Sequence, residues 1–144
     1  MKSACEITAS RLFHNSSILT KRREVKIVYE SENGMRLAHM LLQSSEKPTA
    51  VFCINDMTAI VMMQELHKKG MEVPRDISVV GFDNLKLAEL SIPPLTTIDQ
   101  HIYEMGSSAA NILIDSYEKT IDYNYSIRLE PTLVVRDSTR RLKG

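Results

Sequence analysis

Residues 48–100, PTAVFCINDMTAIVMMQELHKKGMEVPRDISVVGFDNLKLAELSIPPLTTIDQ, decide the fold. Within them PTAVFCINDMTA, VPRDISVVGFDN and IPPLTTIDQ each read as a buried β-strand that runs into a polar turn. Residues 77–82 are apolar except for Ser78, the pattern of a parallel strand covered on both faces. Three strands that stop side by side in Asn-Asp, Asp-Asn and Thr-Thr-Ile-Asp-Gln make an open α/β sheet with ligand-facing tips. Such sheets bind small molecules beyond their carboxyl edges.

The connecting segments agree with a parallel sheet. Asp56 is placed to cap a helix that carries Ala59, Ile60, Met63 and Leu66 on one stripe, and two lysines precede a stop at Gly70. Strand, helix, strand is parallel α/β logic. Upstream, residues 7–19 carry a helix pattern, KRRE a charged turn, and VKIVYE a strand. SENG then introduces a helix with Met35, Ala38, Leu41 and Leu42 at helical spacing, broken by SSEKP. Downstream, Ile102, Met105, Ala109, Ile112, Leu113 and Tyr117 predict an amphipathic helix over 100–120. Residues 127–136 alternate apolar with mostly polar side chains, and Pro131 places them at a sheet edge or in a crossing segment.

Composition narrows the function. The chain has 144 residues, with 18 basic and 18 acidic side chains, so it carries no global field to attract nucleic acid or anionic lipid. Its length suits one domain or part of one. Cys5 and Cys53 are far apart, and Cys53 falls in an apolar strand, as in a reducing cytosol. The first residues lack the apolar core of a secretory signal, and no apolar run reaches the roughly 20 residues that span a bilayer. A cytoplasmic protein without a membrane partner is expected. His14, His39, His67 and His101 show no ligand spacing, and neither a metal nor a cofactor is expected. No nucleophile elbow, glycine-rich phosphate loop or carboxylate pair appears, so an enzyme is not expected.

The ordered motifs PTAVFCINDMTA, HKKGMEVPRDISVVGFDN, PPLTTIDQHIYEMGSSAANILI and LEPTLVVRDST resemble the LacI/GalR-type bacterial transcriptional repressors, over residues 11–139. The similarity lies in their effector-binding core, a type I periplasmic-binding-protein-like fold. It implies the C-terminal lobe of that fold, with the N-terminal lobe largely missing and no helix-turn-helix in the chain. On this reading residues 1–139 are a partial effector-binding and dimerisation domain. Residues of about 5–92 and 125–139 make the C-terminal lobe, those of about 95–120 a crossover with an N-lobe-type helix, and 140–144 a frayed tail. The helix over 102–117 then lacks its usual packing partner, which predicts self-association or domain swapping.

The resemblance also implies the site residues. Asp83 occupies the position whose carboxylate grips effector hydroxyl or amine groups, a helix cap being the alternative. Asn55 reads a hydroxyl, while Asp56 caps the helix. Arg11 faces the cleft with a planar fork of donors, or is a surface arginine. Tyr29 offers a stacking platform, or simply packs. Ile102 forms an aliphatic pocket wall, and Gln100 ties the crossover by hydrogen bonds. Ile60, Leu87, Leu90 and Ser91 lie at an isologous homodimer interface. His14, Asn15 and Val61 depart from the pattern, which more often has glycine and an aromatic at the first two and glycine at the third.

The expected function is ligand sensing and dimerisation. A sugar, sugar phosphate or nucleobase is bound, and DNA is reached only through a helix-turn-helix domain absent from this chain. The alternative is a periplasmic-type solute-binding module that delivers a sugar for transport.

Overall fold

The computed structural model describes residues 33–45, 48–118 and 125–141. Arg11 and Tyr29, the helix pattern over 7–19 and the strand VKIVYE lie outside these residues. Helix α1 (Asn33–Gln43) leads to strand β1 (Ala50–Phe52), helix α2 (Asp56–Lys68), strand β2 (Ser78–Val80) and the short helix α3 (Lys86–Leu90). Strand β3 (Thr97–Asp99), helix α4 (Ile102–Tyr117) and strand β4 (Thr132–Val134) follow.

β1 and β2 pair in parallel, with Val51 opposite Val79. The ladder continues from β2 to β3 through a parallel bridge between Val80 and Thr96. β4 runs antiparallel to β3, with Leu133 opposite Ile98. β1 and β2 are shorter than the apolar runs that hold them, and single backbone bonds continue the pairing beyond the strand ends. Cys53 N donates to Val80 O at 2.8 Å, Gly81 N to Thr96 O at 2.9 Å and Asp83 N to Ile98 O at 2.9 Å. These bonds carry the alignment of the strands up to their carboxyl tips.

The core lies between the parallel strands and the α1–α2 pair. Val51, Cys53, Ile77, Val79 and Leu95 meet Ala38, Ala59, Met62, Met63, Leu66 and Ala88, all buried. Burial pushes the Cys53 thiol up to about 12, with the Asp56 charge adding to it, so Cys53 is an inert hydrophobe. Helices α1 and α2 approach closely because Gly34 faces Val61. A Cβ at Gly34 would stand 2.6 Å from Val61 Cβ and 2.8 Å from Thr58 O. The small residue at this crossing is therefore on α1, opposite the valine that departs from the family pattern on α2.

α2 ends as its sequence predicts, with His67 and Lys68 in the last turn and Gly70 at φ 79° just beyond. Its start differs. Asn55 is the N-cap, its Oδ1 accepting from Thr58 N at 2.8 Å, and Asp56 is the first helical residue. Helix α3 was not expected from periodicity, since five residues are too few to show a repeat.

The segment after β4 plugs back into the parallel sheet. Ser138, fully buried, accepts at Oγ from Thr96 N at 2.8 Å and donates to Val79 O at 2.6 Å, while its own carbonyl accepts from Val79 N at 2.9 Å. Arg140 is held rather than frayed, donating from N to Ser78 Oγ at 3.2 Å and from Nε to Pro74 O at 2.9 Å.

Apolar faces are left to solvent among the described residues. α4 has no buried residue, and Tyr103, Leu113 and Tyr117 are 91%, 72% and 89% exposed. The apolar alternation around β4 also points outward, with Ile127, Leu133 and Val135 exposed. No described helix is long and apolar enough to cross a membrane.

Candidate functional site at the carboxyl edge of the sheet

Asp56 N donates to Phe82 O at 2.8 Å, which fixes the Asn55 turn beside the Asp83 turn at neighbouring strand tips. Asn55 and Asp83 are both half-buried. Asn55 spends its Oδ1 on capping α2, which leaves its Nδ2 as the group able to donate to a ligand. The cap thus falls on Asn55, where the sequence assigned it to Asp56.

Asp56 has a different task. Its carboxylate is fully buried, accepting at Oδ2 from Leu85 N at 2.7 Å and at Oδ1 from Thr97 Oγ1 at 2.5 Å. Burial raises its pKa, and the bonds from Thr97 and Leu85, with the Arg136 charge, work against the rise. Thr96 and Thr97 are buried and engaged in these internal bonds, which corrects the expectation of a ligand-facing Thr-Thr pair. The polar tip of β3 starts at Asp99.

Asp83 sits at φ 111° and Asn84 at φ 53°, consecutive residues in conformations that L side chains rarely adopt. α3 begins three residues past Asp83, with Leu85 at its N-cap and no side-chain cap bond, so Asp83 is not a helix cap. Asp83 Oδ1 accepts from Gln100 Nε2 at 2.5 Å. Its Oδ2 accepts no hydrogen bond among the described residues. Burial raises the Asp83 pKa, Gln100 lowers it, and the Asp56 charge raises it again.

Sequence reasoning left out three residues that build this edge. Asn84 Nδ2 donates to Asp99 Oδ2 at 2.9 Å, and Asn84 Oδ1 accepts from Arg136 Nη2 at 2.8 Å. Arg136 also donates through Nη1 to Leu95 O at 2.8 Å. Asp99 Oδ1 accepts from His101 N at 2.7 Å, and that bond, then the one from Asn84, lowers the Asp99 pKa. The GFDN and VVRDST motifs contained Asn84 and Arg136, but their meeting 52 residues apart has no local signal.

Ile102 opens α4 and is half-exposed, one residue beyond His101 at φ 55°. Of the residues expected at a subunit interface, Ile60 packs partly against the core, Leu87 and Leu90 are 50% and 66% exposed, and Ser91 Oγ donates to Ala88 O and Pro93 O. Ile92, next to them, is 93% exposed. A separate cavity of about 370 Å³ lies at the opposite end of the sheet, against Leu41, Pro48, Met71, Asp76 and Ile77, and includes none of the site residues. Among the described residues there is no group of His, Cys, Asp or Glu able to hold a metal ion.

Comparison with known proteins places this geometry. The periplasmic binding protein-like domain family matches residues 7–139. The transcriptional repressor PurR of Vibrio atlanticus strain LGP32 is 36% identical over 114 residues, 79% of this chain and 34% of its own. A LacI family transcriptional regulator from Enterococcus faecium, solved with bound ribose, superposes with a TM-score of 0.75 at 32% identity, covering 83% of this chain and 44% of its own. The lac repressor dimer bound to operator and the anti-inducer ONPF superposes with a TM-score of 0.70 at 29% identity, covering 78% and 39%. The chain thus spans about a third of the length of the curated relatives it matches. With parallel strands that end in the Asn-Asp and Asp-Asn tips, the chain belongs to the periplasmic binding protein-like domain family, as an effector-binding domain of the LacI/GalR type.

Proposed function

We propose that this chain is the ligand-sensing and dimerising part of a cytoplasmic transcriptional regulator, without catalytic activity, whose effector is a sugar, sugar phosphate or nucleobase. The observation that carries this reading is Asp83. Its carboxylate stands at a strand tip in a strained backbone, with one oxygen held by Gln100 and the other free to accept from a ligand. Strain persists where the surroundings over-determine it, and ligand sites are where it collects. Asn55 Nδ2 supplies a donor from the neighbouring tip, Ile102 adds an aliphatic wall, and the family resemblance assigns Arg11 and Tyr29, outside the described residues, to the same effector.

An effector of this kind acts by favouring one lobe arrangement over another. DNA is engaged by a helix-turn-helix domain outside this chain, and the exposed Leu87, Leu90 and Ile92 with Ile60 and Ser91 form the homodimer contact. The transport reading is set aside, because the matched relatives are transcriptional regulators.

Calorimetry with ribose, ribose 5-phosphate and hypoxanthine tests the reading. Saturable binding of one of them is expected, and Asp83→Ala weakens it by about tenfold or more, the loss of a charge-assisted hydrogen bond. Equal affinity in Asp83→Ala, or no saturable binding of any of the three, overturns it.

A further inference from the structure

The start of α4 has unusual support. None of its residues is buried, and its N-cap His101 makes no side-chain capping bond, so neither core packing nor a cap fixes where the helix begins. Helices in proteins draw most of their stability from tertiary packing, and no residue of this helix is buried. What precedes it is the stretch from Asp99 to His101, stapled to the Asp83–Asn84 turn. Gln100 Nε2 donates to Asp83 Oδ1 at 2.5 Å, and Asn84 Nδ2 donates to Asp99 Oδ2 at 2.9 Å. Asp99 in turn accepts from His101 N, and His101 O accepts from Met105 N at 2.8 Å, the first turn of the helix. Among the described residues the positive-φ residues outside glycine are Asp83, Asn84 and His101, and all three belong to this staple.

We infer that Gln100 is a positioning residue that ties the beginning of α4 to the Asp83 carboxylate, so that whatever competes for that carboxylate loosens the helix start. The inference rests on Asp83 being the effector-gripping group and adds how its occupancy is felt elsewhere. A ligand whose two adjacent hydroxyl or amine groups take Oδ1 together with the free Oδ2 displaces the Gln100 amide. The strained turn and the crossover then lose their shortest bond, and α4 is freed relative to the sheet.

Amide exchange of the full chain, followed residue by residue, tests this without a ligand. Gln100→Ala speeds exchange of the α4 amides from Met105 onward by about tenfold, while the sheet amides of Val79 and Gly81 are unchanged, as local opening requires. Asp83→Ala does the same, and Asp83→Asn, which keeps an acceptor but no charge, gives a smaller acceleration. The double variant Asp83→Ala with Gln100→Ala is no faster than the faster single one, as residues sharing one interaction require. Unchanged α4 exchange, an equal rise in the sheet, or additive effects would overturn the assignment. Ribose then separates the two readings. Ribose that binds and speeds α4 exchange in the parent chain but not in Gln100→Ala supports both, and ribose that binds without altering α4 overturns the role of Gln100 alone. If ribose does not bind while the double-variant result holds, Gln100 keeps its role and ribose is removed as an effector.

Discussion

Thr97 and Asp56, 41 residues apart in the chain, meet in the interior, where the threonine hydroxyl donates to the carboxylate at 2.5 Å. With Leu85 N on the other oxygen, one buried side chain joins the start of α2, the turn before α3 and strand β3. It is the pin that holds the strand tips in line.

Asp56→Ala strands the buried Thr97 hydroxyl and the part-buried Leu85 N–H and is expected to cost about 3 kcal/mol, the usual penalty for leaving hydrogen-bonding groups of a buried charge unpaired. Asp56→Asn keeps one acceptor but sets an N–H against a donor, so most of the loss remains. Urea denaturation with an unchanged slope measures it. A loss under about 0.5 kcal/mol, the range of ordinary surface substitutions, would show that the network is dispensable.

Ser138 holds the returning segment in the same way, with Oγ between Thr96 N and Val79 O. Ser138→Ala leaves both backbone groups orphaned in the core and is expected to cost about 2 kcal/mol. Arg140, tied to Ser78 and Pro74 just beyond, should lose amide protection together with it.

The charge of Asp83 works against folding. Burial sets its folded pKa above the ordinary carboxylate value, so the folded state binds the proton more readily than the unfolded chain. Its contribution to stability therefore falls as pH rises from the ordinary carboxylate value through the raised folded one, and stays low at neutral pH. Asp83→Asn removes this penalty. The stability of the variant relative to the parent should be most favourable at neutral pH and decline on acidification through that window. Denaturation at several pH values checks it, and a constant difference would contradict the raised pKa.

The packing of α1 on α2 offers a sharper test. In an open helix Gly34→Ala gains up to about 1 kcal/mol of propensity. Here the new methyl collides with Val61 Cβ and the Thr58 carbonyl, and overpacking of that kind costs about 1–3 kcal/mol. A net loss is expected, partly recovered by adding Val61→Gly, which clears the Cβ contact but leaves Thr58 O. A gain in stability for Gly34→Ala would mean that the helices stand further apart.

Legibility of the sequence followed the range of each signal. The parallel strands and α2 were readable because apolar runs, a glycine stop and basic last-turn residues are local. Asp83 and Asn55 were legible as strand-tip residues by resemblance, and the structure sets their turns side by side. The exchange of roles between Asn55 and Asp56 was not legible, since both residue types cap helices and only the distant Leu85 and Thr97 distinguish them. Thr96 and Thr97 were misread as ligand-facing for the same reason: their partners, Ser138, Arg136 and Asp56, come from elsewhere in the chain. Gln100 was expected to tie the crossover, and its partner turns out to be the candidate effector carboxylate itself.

The exposed face of α4 leads to the last expectation. Tyr103, Leu113 and Tyr117 are nearly bare along a helix with no buried residue, and the outward face of β4 adds Leu133 and Val135. Apolar surface of this extent exposed to water marks an interaction face. A second copy can cover it, and each buried large side chain returns about 1.5–3 kcal/mol. The chain should therefore self-associate in sedimentation and light-scattering measurements. Leu113→Lys with Tyr117→Lys should shift it toward smaller species, and without raising the cost of folding, since neither side chain is in the core. Leu90→Lys, on the α3 surface, separates the two faces: if it alone reduces association, the contact runs through α3 and α4 takes no part. A monodisperse monomer for the parent chain at high concentration would refute association through either face.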